Sequence, residues 1–332
     1  MINPFFKKFG PFRIDKLLSL SDIKNSENYV DFEVSNIEDL SNNSLDTTVG
    51  IIVPDTADES EIIVNEILFD PYTGGSDYVE LYNNSSKSID LFGYMIANFD
   101  EGIDNHKNIE KHFVLAPNNY VLLSEDSAST AVAYLNRDAL VFIEMDLPTF
   151  TNDSSTVYVL NPDSLVLDYF SYNDDMHFNL INDVEGVSLE RISASLATND
   201  ASNWHSAAES VGWGTPGLEN SQNFSGTTSD LFFNVETPVF SPDNDGFEDV
   251  AIFSYEMNAP GYVANLLVYD HSGRLITRLL ENELLSSSGS TSWDGTMENG
   301  EKARIGIYLL YFEAFDLDGN VYPVKKTITL KG

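Results

Sequence analysis

The chain has 332 residues, 53 of them acidic and 17 basic, for a formal charge of −36, and it contains no cysteine. Hydrophobic content of 42% with 12% aromatics is that of a globular protein long enough for two or more cores, which excludes an acidic disordered tail. The charge repels phosphate backbones and anionic lipid headgroups, and the missing cysteines exclude disulfides and thiolate chemistry.

The opening run MINPFFKKFGPFRIDKLLSL has basic residues but no continuous apolar segment and no small-residue cleavage site. It does not read as a signal peptide, which leaves two expectations: a protein that stays inside, or a chain whose true beginning is missing. No run approaches the roughly 20 apolar residues that span a bilayer, so membrane insertion is not expected. DFEVSNIEDLSNNSLDTTVGIIV predicts two strands around a turn at Asp39 to Asn43, too little to close a domain. Residues 1–58 therefore read as the remnant of a preceding domain or as a disordered lead.

From residue 59 the pattern is strand after strand. EIIVNEILFD, YVELYN, IDLFGYMIAN, NNYVLLSED and ALVFIEM are short apolar or alternating bursts between Asn, Asp, Gly and Pro. One helix is predicted, over Asp126 to Arg137, with Ser127 or Ser129 as its cap. TVYVLNPDSLVLDYF predicts a hairpin turning at Asn161-Pro162-Asp163-Ser164. Leu218 to Asp230 is rich in Ser, Thr and Asn, the composition of a linker, here placed at 221–230. Beyond it, two further hairpins turn at Asp270 to Gly273 and at Asp318-Gly319-Asn320. Strands at this spacing predict an all-β chain of two sandwiches in tandem, at 59–220 and 231–332, joined by a short polar linker.

Several words in the first unit resemble the lamin-tail domain of the bacterial kind. They are the pair Asn65-Glu66, the turn Asp70-Pro71, the strand Asp77 to Leu81, the strand Asp90 to Tyr94, VSLERI at Val187 to Ile192, NWHSA at Asn203 to Ala207 and GWGTPGLEN at Gly212 to Asn220. In the last hundred residues FSPDNDGFEDV, VYDHSGRLI, SWDG and GIYLLYFEAFD resemble the Ig-like domain of flagellar hook-capping proteins and related C-terminal domains of Bacteroidetes secreted proteins. These resemblances imply an Ig-like fold for both units. They also imply export to the surface or medium, with the terminal domain close to a secretion and sorting signal. Lamin-tail domains accompany nucleases, hydrolases and adhesins alike as non-catalytic modules, so the resemblance implies no chemistry.

The search for chemistry is mostly empty. There is no GxSxG elbow, HExxH helix, phosphate loop or GxGxxG turn. His106 and His112 are not at a metal spacing. Asp174, Asp175 and His177 lie close enough in NDDMHF to suggest a hydrolytic metal, against the alternative of a solvated loop. His205 in NWHSA reads as a hydrogen-bonded structural histidine. The 40 aromatic residues invite a sugar-stacking reading, but rings such as Tyr255, Tyr269, Tyr308 and Phe312 alternate as core residues do. Trp213 and Trp293 read as turn-packing anchors.

The strongest candidate is SPDNDGFEDV, Ser241 to Val250. Calcium takes six to eight oxygens and favours clustered carboxylates with a glycine at the sharp turn. Placing Gly246 at the glycine of an EF-hand puts Asp243, Asp245 and Asp249 at ligand positions, but Ser241 and Ile252 fall where carboxylates are needed. The loop is thus no EF-hand. It is either a shorter calcium loop completed from elsewhere, with Asp243, Asp245 and Asp249 as ligands, or a bare Asx turn. The expectation is a non-enzymatic module, structural or adhesive, whose partner is a cell-surface or extracellular protein or polysaccharide, or the secretion machinery. The alternatives are a carbohydrate-binding module of a larger hydrolase and a metal-dependent hydrolase.

Overall fold

The computed structural model describes residues 29–38, 44–99, 103–134, 141–224, 226 and 231–332, with the backbone alone for 29–52 and for Asp104. A leading hairpin pairs β1 (Tyr29–Glu38) with β2 (Ser44–Ile52) in antiparallel register, as the sequence predicts. Its turn at Asp39 to Asn43 and the lead at 1–28 lie outside the described residues.

The first sandwich opens with β3 (Ile62–Leu68), β4 (Tyr78–Asn83), β5 (Ile89–Asp90), β6 (Met95–Phe99), β7 (Ile103–Asn108), β8 (Val114–Leu115) and β9 (Tyr120–Ser124). After helix α1 (Ser127–Ala133) come β10 (Phe142–Glu144), β11 (Ser154–Leu160), β12 (Val166–Asn173), β13 (Leu189–Arg191) and β14 (Trp204–Ser206). Six strands form one sheet in the order β10-β9-β4-β3-β13-β14, and four form the other as β12-β11-β6-β7. Between them lies one core in which Ile67, Val79, Leu123, Val157, Phe170 and Trp204 are all buried. Phe170 and Trp204 stack at 3.7 Å. Each such side chain contributes roughly 1.5–3 kcal/mol by leaving water.

The second sandwich is built from β15 (Phe232–Val235), β16 (Val239–Phe240), β17 (Ala251–Glu256), β18 (Val263–Asp270), β19 (Leu275–Leu284), β20 (Ser288–Trp293), β21 (Gly306–Phe315) and β22 (Val321–Leu330). Its sheets, β15-β17-β20 and β16-β22-β21-β18-β19, enclose Phe233, Phe253, Leu266, Phe312 and Ile328. The chain is therefore all-β, two Ig-like sandwiches in tandem. Alternation holds well here: along β21, Tyr308, Leu310, Phe312 and Ala314 are buried while Ile307 and Leu309 face water. Tyr269 breaks the expectation of a core ring. It is registered with the exposed Leu309 and shares its outward face, because its neighbour Val268 takes the inward position.

Three hairpins turn by one mechanism. Asn161, Asp270 and Asp316 each accept, through Oδ1, the backbone N–H groups two and four residues on. The residue three further along, Ser164, Gly273 or Gly319, has φ between 64° and 81°. An Asx side chain replaces the turn's missing acceptor, and glycine enters the left-handed region at little cost.

Two local expectations change. The helix is capped by Asp126, whose Oδ1 accepts from Ala128 and Ser129 N–H, rather than by Ser127 or Ser129; a carboxylate one residue earlier reaches the orphan donors first. The helix ends by Tyr134, and 135–137 lie outside the described residues. In the predicted linker, Asn220, Ser221 and Gln222 are buried, while Ser225 and 227–230 lie outside the described residues. Gln222 donates to the Leu285 carbonyl at 3.1 Å and accepts from Gly261 N–H at 3.0 Å, and Ser287 N–H donates to the Ser221 carbonyl at 2.7 Å. The polar residues here thus stitch one sandwich to the next.

Candidate functional site

The acidic loop runs from the end of β16 to the start of β17, and its backbone is unusual. Asn244, Gly246 and Glu248 all have positive φ, at 63°, 89° and 52°. Side-chain oxygens hold this shape. Asp249 accepts from Asn244 N–H at 2.6 Å and Gly246 N–H at 2.9 Å, Asp243 from Asp245 N–H at 3.1 Å, and Asp245 from Phe247 N–H at 2.8 Å. Asp243, Asp245 and Asp249 each present a carboxylate oxygen within 4.8 Å of the others. Oxygens bound to one calcium at 2.3–2.6 Å lie no further apart than about 5 Å, so the donor set fits the ion in size and hardness. The same bonds also complete an Asx-stabilised turn.

The histidines are placed differently. His106 and His112 are exposed, and His112 Nδ1 lies 2.6 Å from Asp90 while its ring stacks on Phe92. Asp174 and Asp175 are solvated, but His177 at the end of their short turn is 5% exposed, with Nδ1 3.0 Å from Ser206 Oγ. Burial pushes its pKa down to about 4, so the ring is neutral at physiological pH. The metal reading of Asp174, Asp175 and His177 is not borne out: among the described residues, side chains able to share an ion gather at the acidic loop and not here. His205 is the structural histidine expected. Its Nδ1 lies 3.0 Å from the Ser206 carbonyl, a contact that requires the proton on Nδ1.

Neither Trp213 nor Trp293 is an exposed platform. Trp293 is buried, with its indole N–H on the Thr296 carbonyl, and Trp213 occupies a turn at φ 68°. Tyr158 and Tyr169 stand opposite each other on β11 and β12 and stack on one another at 5.5 Å.

Sequence reasoning missed a row of buried acids. Glu80, Glu66 and Glu190 are fully buried side by side across β4, β3 and β13. A bulge between Val64 and Glu66 sets two β3 residues against one on β4, so Asn65 can also reach this face, donating to Glu80 at 2.8 Å. The segment 212–222 closes over the row. Thr215 N–H donates to Glu66 at 3.0 Å, Gly217 N–H to Glu80 at 2.5 Å and Gln222 N–H to Glu190 at 3.0 Å. That explains why all seven residues of β3 are buried: the opposite sheet covers one face and this segment the other. The signal was legible as a glutamate inside each apolar word, VNEIL, YVELY and SLERI.

The word GWGTPG follows from the same closure. Gly212 and Gly217 have φ of 82° and 79°, and a Cβ at Gly214 would sit 2.5 Å from the Tyr134 ring and 3.0 Å from the Tyr78 hydroxyl. Both tyrosines are buried and cannot yield. Gly214→Ala is expected to destabilise the first sandwich by about 1–3 kcal/mol in chemical denaturation, as overpacking does; an unchanged midpoint would show that the segment is loosely seated.

Residues 55–174 match the family model of the Lamin Tail Domain. The core of that region continues past the match, through Leu189 and Trp204. No match to a curated protein is found. Among solved structures, FlgD from P. aeruginosa is similar at 22% identity over 24% of this chain and 62% of its own, with a TM-score of 0.21. Latent PorU from Porphyromonas gingivalis is similar at 13% identity over 93% of this chain, which spans 24% of PorU, with a TM-score of 0.24. A Ca2+-stabilised ice-binding adhesin of an Antarctic bacterium is similar at 11% identity, over 92% of this chain and 57% of its own, with a TM-score of 0.18.

Proposed function

We propose that this chain is a non-catalytic structural or adhesive module of an exported bacterial protein, with domains at 59–220 and 231–332 joined by a linker at 221–230. The observation that carries the reading is the use of its chemistry-bearing groups. Glu66, Glu80 and Glu190 are buried and bonded to the protein's own amides and hydroxyls, where they hold chain segments together, and the buried His205 bonds to a backbone carbonyl. The match to the lamin tail domain supports it, and so does a surface charge suited to an extracellular cation-rich setting. In this reading the terminal sandwich is the part the secretion machinery reads. The test is to append residues 231–332 to a reporter in a bacterium that exports such proteins. Reporter at the surface or in the medium supports the reading, and full retention inside sinks the sorting role.

The acidic loop is read as a structural calcium site, with Asp243, Asp245 and Asp249 as ligands and the remaining shell from water and backbone oxygens. Millimolar calcium is expected to raise the melting temperature of the second sandwich by several degrees, since a ligand at 100 times its Kd adds about 2.7 kcal/mol. Magnesium should do less and Asp245→Ala should abolish the rise. No shift against a chelator would leave the loop a turn.

A further inference from the structure

The buried acids carry a consequence for how the molecule responds to pH. Glu80, Glu66 and Glu190 lie in one row, and the next position of that row, opposite Glu190 on β14, is His205. None of the ion pairs among the described residues involves these three glutamates. His205 supplies no charge, because burial lowers its pKa and outweighs the opposite effect of its Nδ1 contact with the Ser206 carbonyl.

The decisive contact is Thr215. Its Oγ1 lies 2.6 Å from Glu190 Oε1 and 3.2 Å from Glu66 Oε2. A hydroxyl has one proton and can donate to one of them. With both carboxyls ionised, one contact would set two lone-pair oxygens together in a water-free space. The other Glu66 oxygen already accepts from Tyr78 OH at 2.6 Å, Ser188 Oγ at 2.5 Å and Thr215 N–H, which suits Glu66 to the charged form. Glu190 Oε2 accepts from Ser221 Oγ at 2.7 Å and Gln222 N–H, leaving Oε1 to carry a proton toward Thr215.

We propose that a shared proton on the Glu190–Thr215–Glu66 chain latches the segment 212–222 onto the first sandwich, and that its loss frees this segment and the stitch to the second sandwich. The link is covalent and short. Ser221 and Gln222, which bond to Glu190, are the residues that bond to Leu285, Gly261 and Ser287. The other groups facing the row do not substitute for the proton. Tyr78 and Tyr134 are pushed well up by burial and stay neutral, as do Tyr82 and Tyr120 beyond Glu80. Glu219 of the segment itself is exposed and acts on Tyr82 and Tyr120 rather than on the row, and Glu209 and Glu283 face each other across the joint. Desolvation raises all three row carboxyls, Glu80 well above its ordinary value and Glu190 to about 7. The sign follows: the native state holds a proton that the unfolded chain releases near pH 4.5. The stabilisation is complete below that value and is lost as pH rises through about 7.

The test is the pH dependence of unfolding of the full chain between pH 5 and 9, read by tryptophan fluorescence, with amide exchange at Thr215, Gly217 and Gln222. In the native sequence the unfolding constant should rise by up to tenfold per pH unit for each proton held, and these three amides should lose protection together. Glu190→Gln keeps the geometry, its amide donating to Thr215 Oγ1 and its carbonyl accepting from Ser221 and Gln222, and should flatten the rise. Glu219→Gln, at an exposed position, should leave the profile unchanged. If Glu190→Gln folds poorly, difference infrared on the native chain decides instead: a glutamate carboxyl band, identified by labelling, that is lost as pH rises through about 7 supports the latch. Parallel pH profiles for native and Glu190→Gln, or no such band, would overturn it.

Discussion

Asp168→Ala is expected to destabilise the first sandwich by about 3–5 kcal/mol, the cost of leaving a buried ionic partner unpaired. Asp168 and Arg191 are both buried, and the guanidinium lies 3.5 Å from the carboxylate. Thr198 bridges them, accepting from Arg191 and donating to Asp168 at 2.5 Å, and Asp168 Oδ2 takes the Val64 N–H at 2.8 Å. Burial raises Asp168 and lowers Arg191 to about 10, so for each partner desolvation outweighs the mutual attraction. The pair therefore adds little net stability as a pair, but removing one partner leaves the other charged and alone beside Trp204, over whose ring Arg191 sits at 5.7 Å. Denaturant unfolding followed at Trp204 and Trp213 measures the loss. The double change Asp168→Leu with Arg191→Met should recover most of it. A loss below about 1 kcal/mol for the single change would mean that water reaches the pair.

Trp293→Ala is expected to cost the second sandwich about 3–5 kcal/mol, the range for deleting a large buried aromatic. The indole is 2% exposed, packs against Phe240 at 5.5 Å and Tyr308 at 5.1 Å, and donates to the Thr296 carbonyl at 2.8 Å. It also pairs with Ala251 across β17 and β20. Phe240 and Ala251 are the residues on either side of the acidic loop, so Trp293 anchors both ends of the proposed calcium site. The variant should accordingly lose most of its calcium-induced rise in melting temperature, while Trp293→Phe, keeping the packing but not the N–H, should retain it. An unchanged calcium response in a folded Trp293→Ala chain would show that the loop is set by its own Asx bonds.

How far the sequence could be read depended on the range of the forces involved. The three Asx turns were legible because Asn161, Asp270 and Asp316 act on amides two and four residues away, and the same locality made the acidic loop stand out. The strands were legible from alternation, as along β21. The helix cap was misplaced by one residue, since Ser127 and Asp126 are both good caps and geometry chose the carboxylate. The burial of Asn220, Ser221 and Gln222 was read wrongly because composition alone describes them as solvated.

By itself the sequence determined the all-β class, the two sandwiches, the turns and the carboxylates that converge at Asp243, Asp245 and Asp249, all of which arise from contacts between near neighbours or from the two-residue repeat of a strand. Only the tertiary structure decided that Glu66, Glu80 and Glu190 share a face, that Thr215 stands between two of them, and that Asp168 meets Arg191. Those partners are separated by up to 149 residues in the chain. A buried charge or proton acquires its meaning from what the fold places within about 3 Å of it, and no local pattern records that distance.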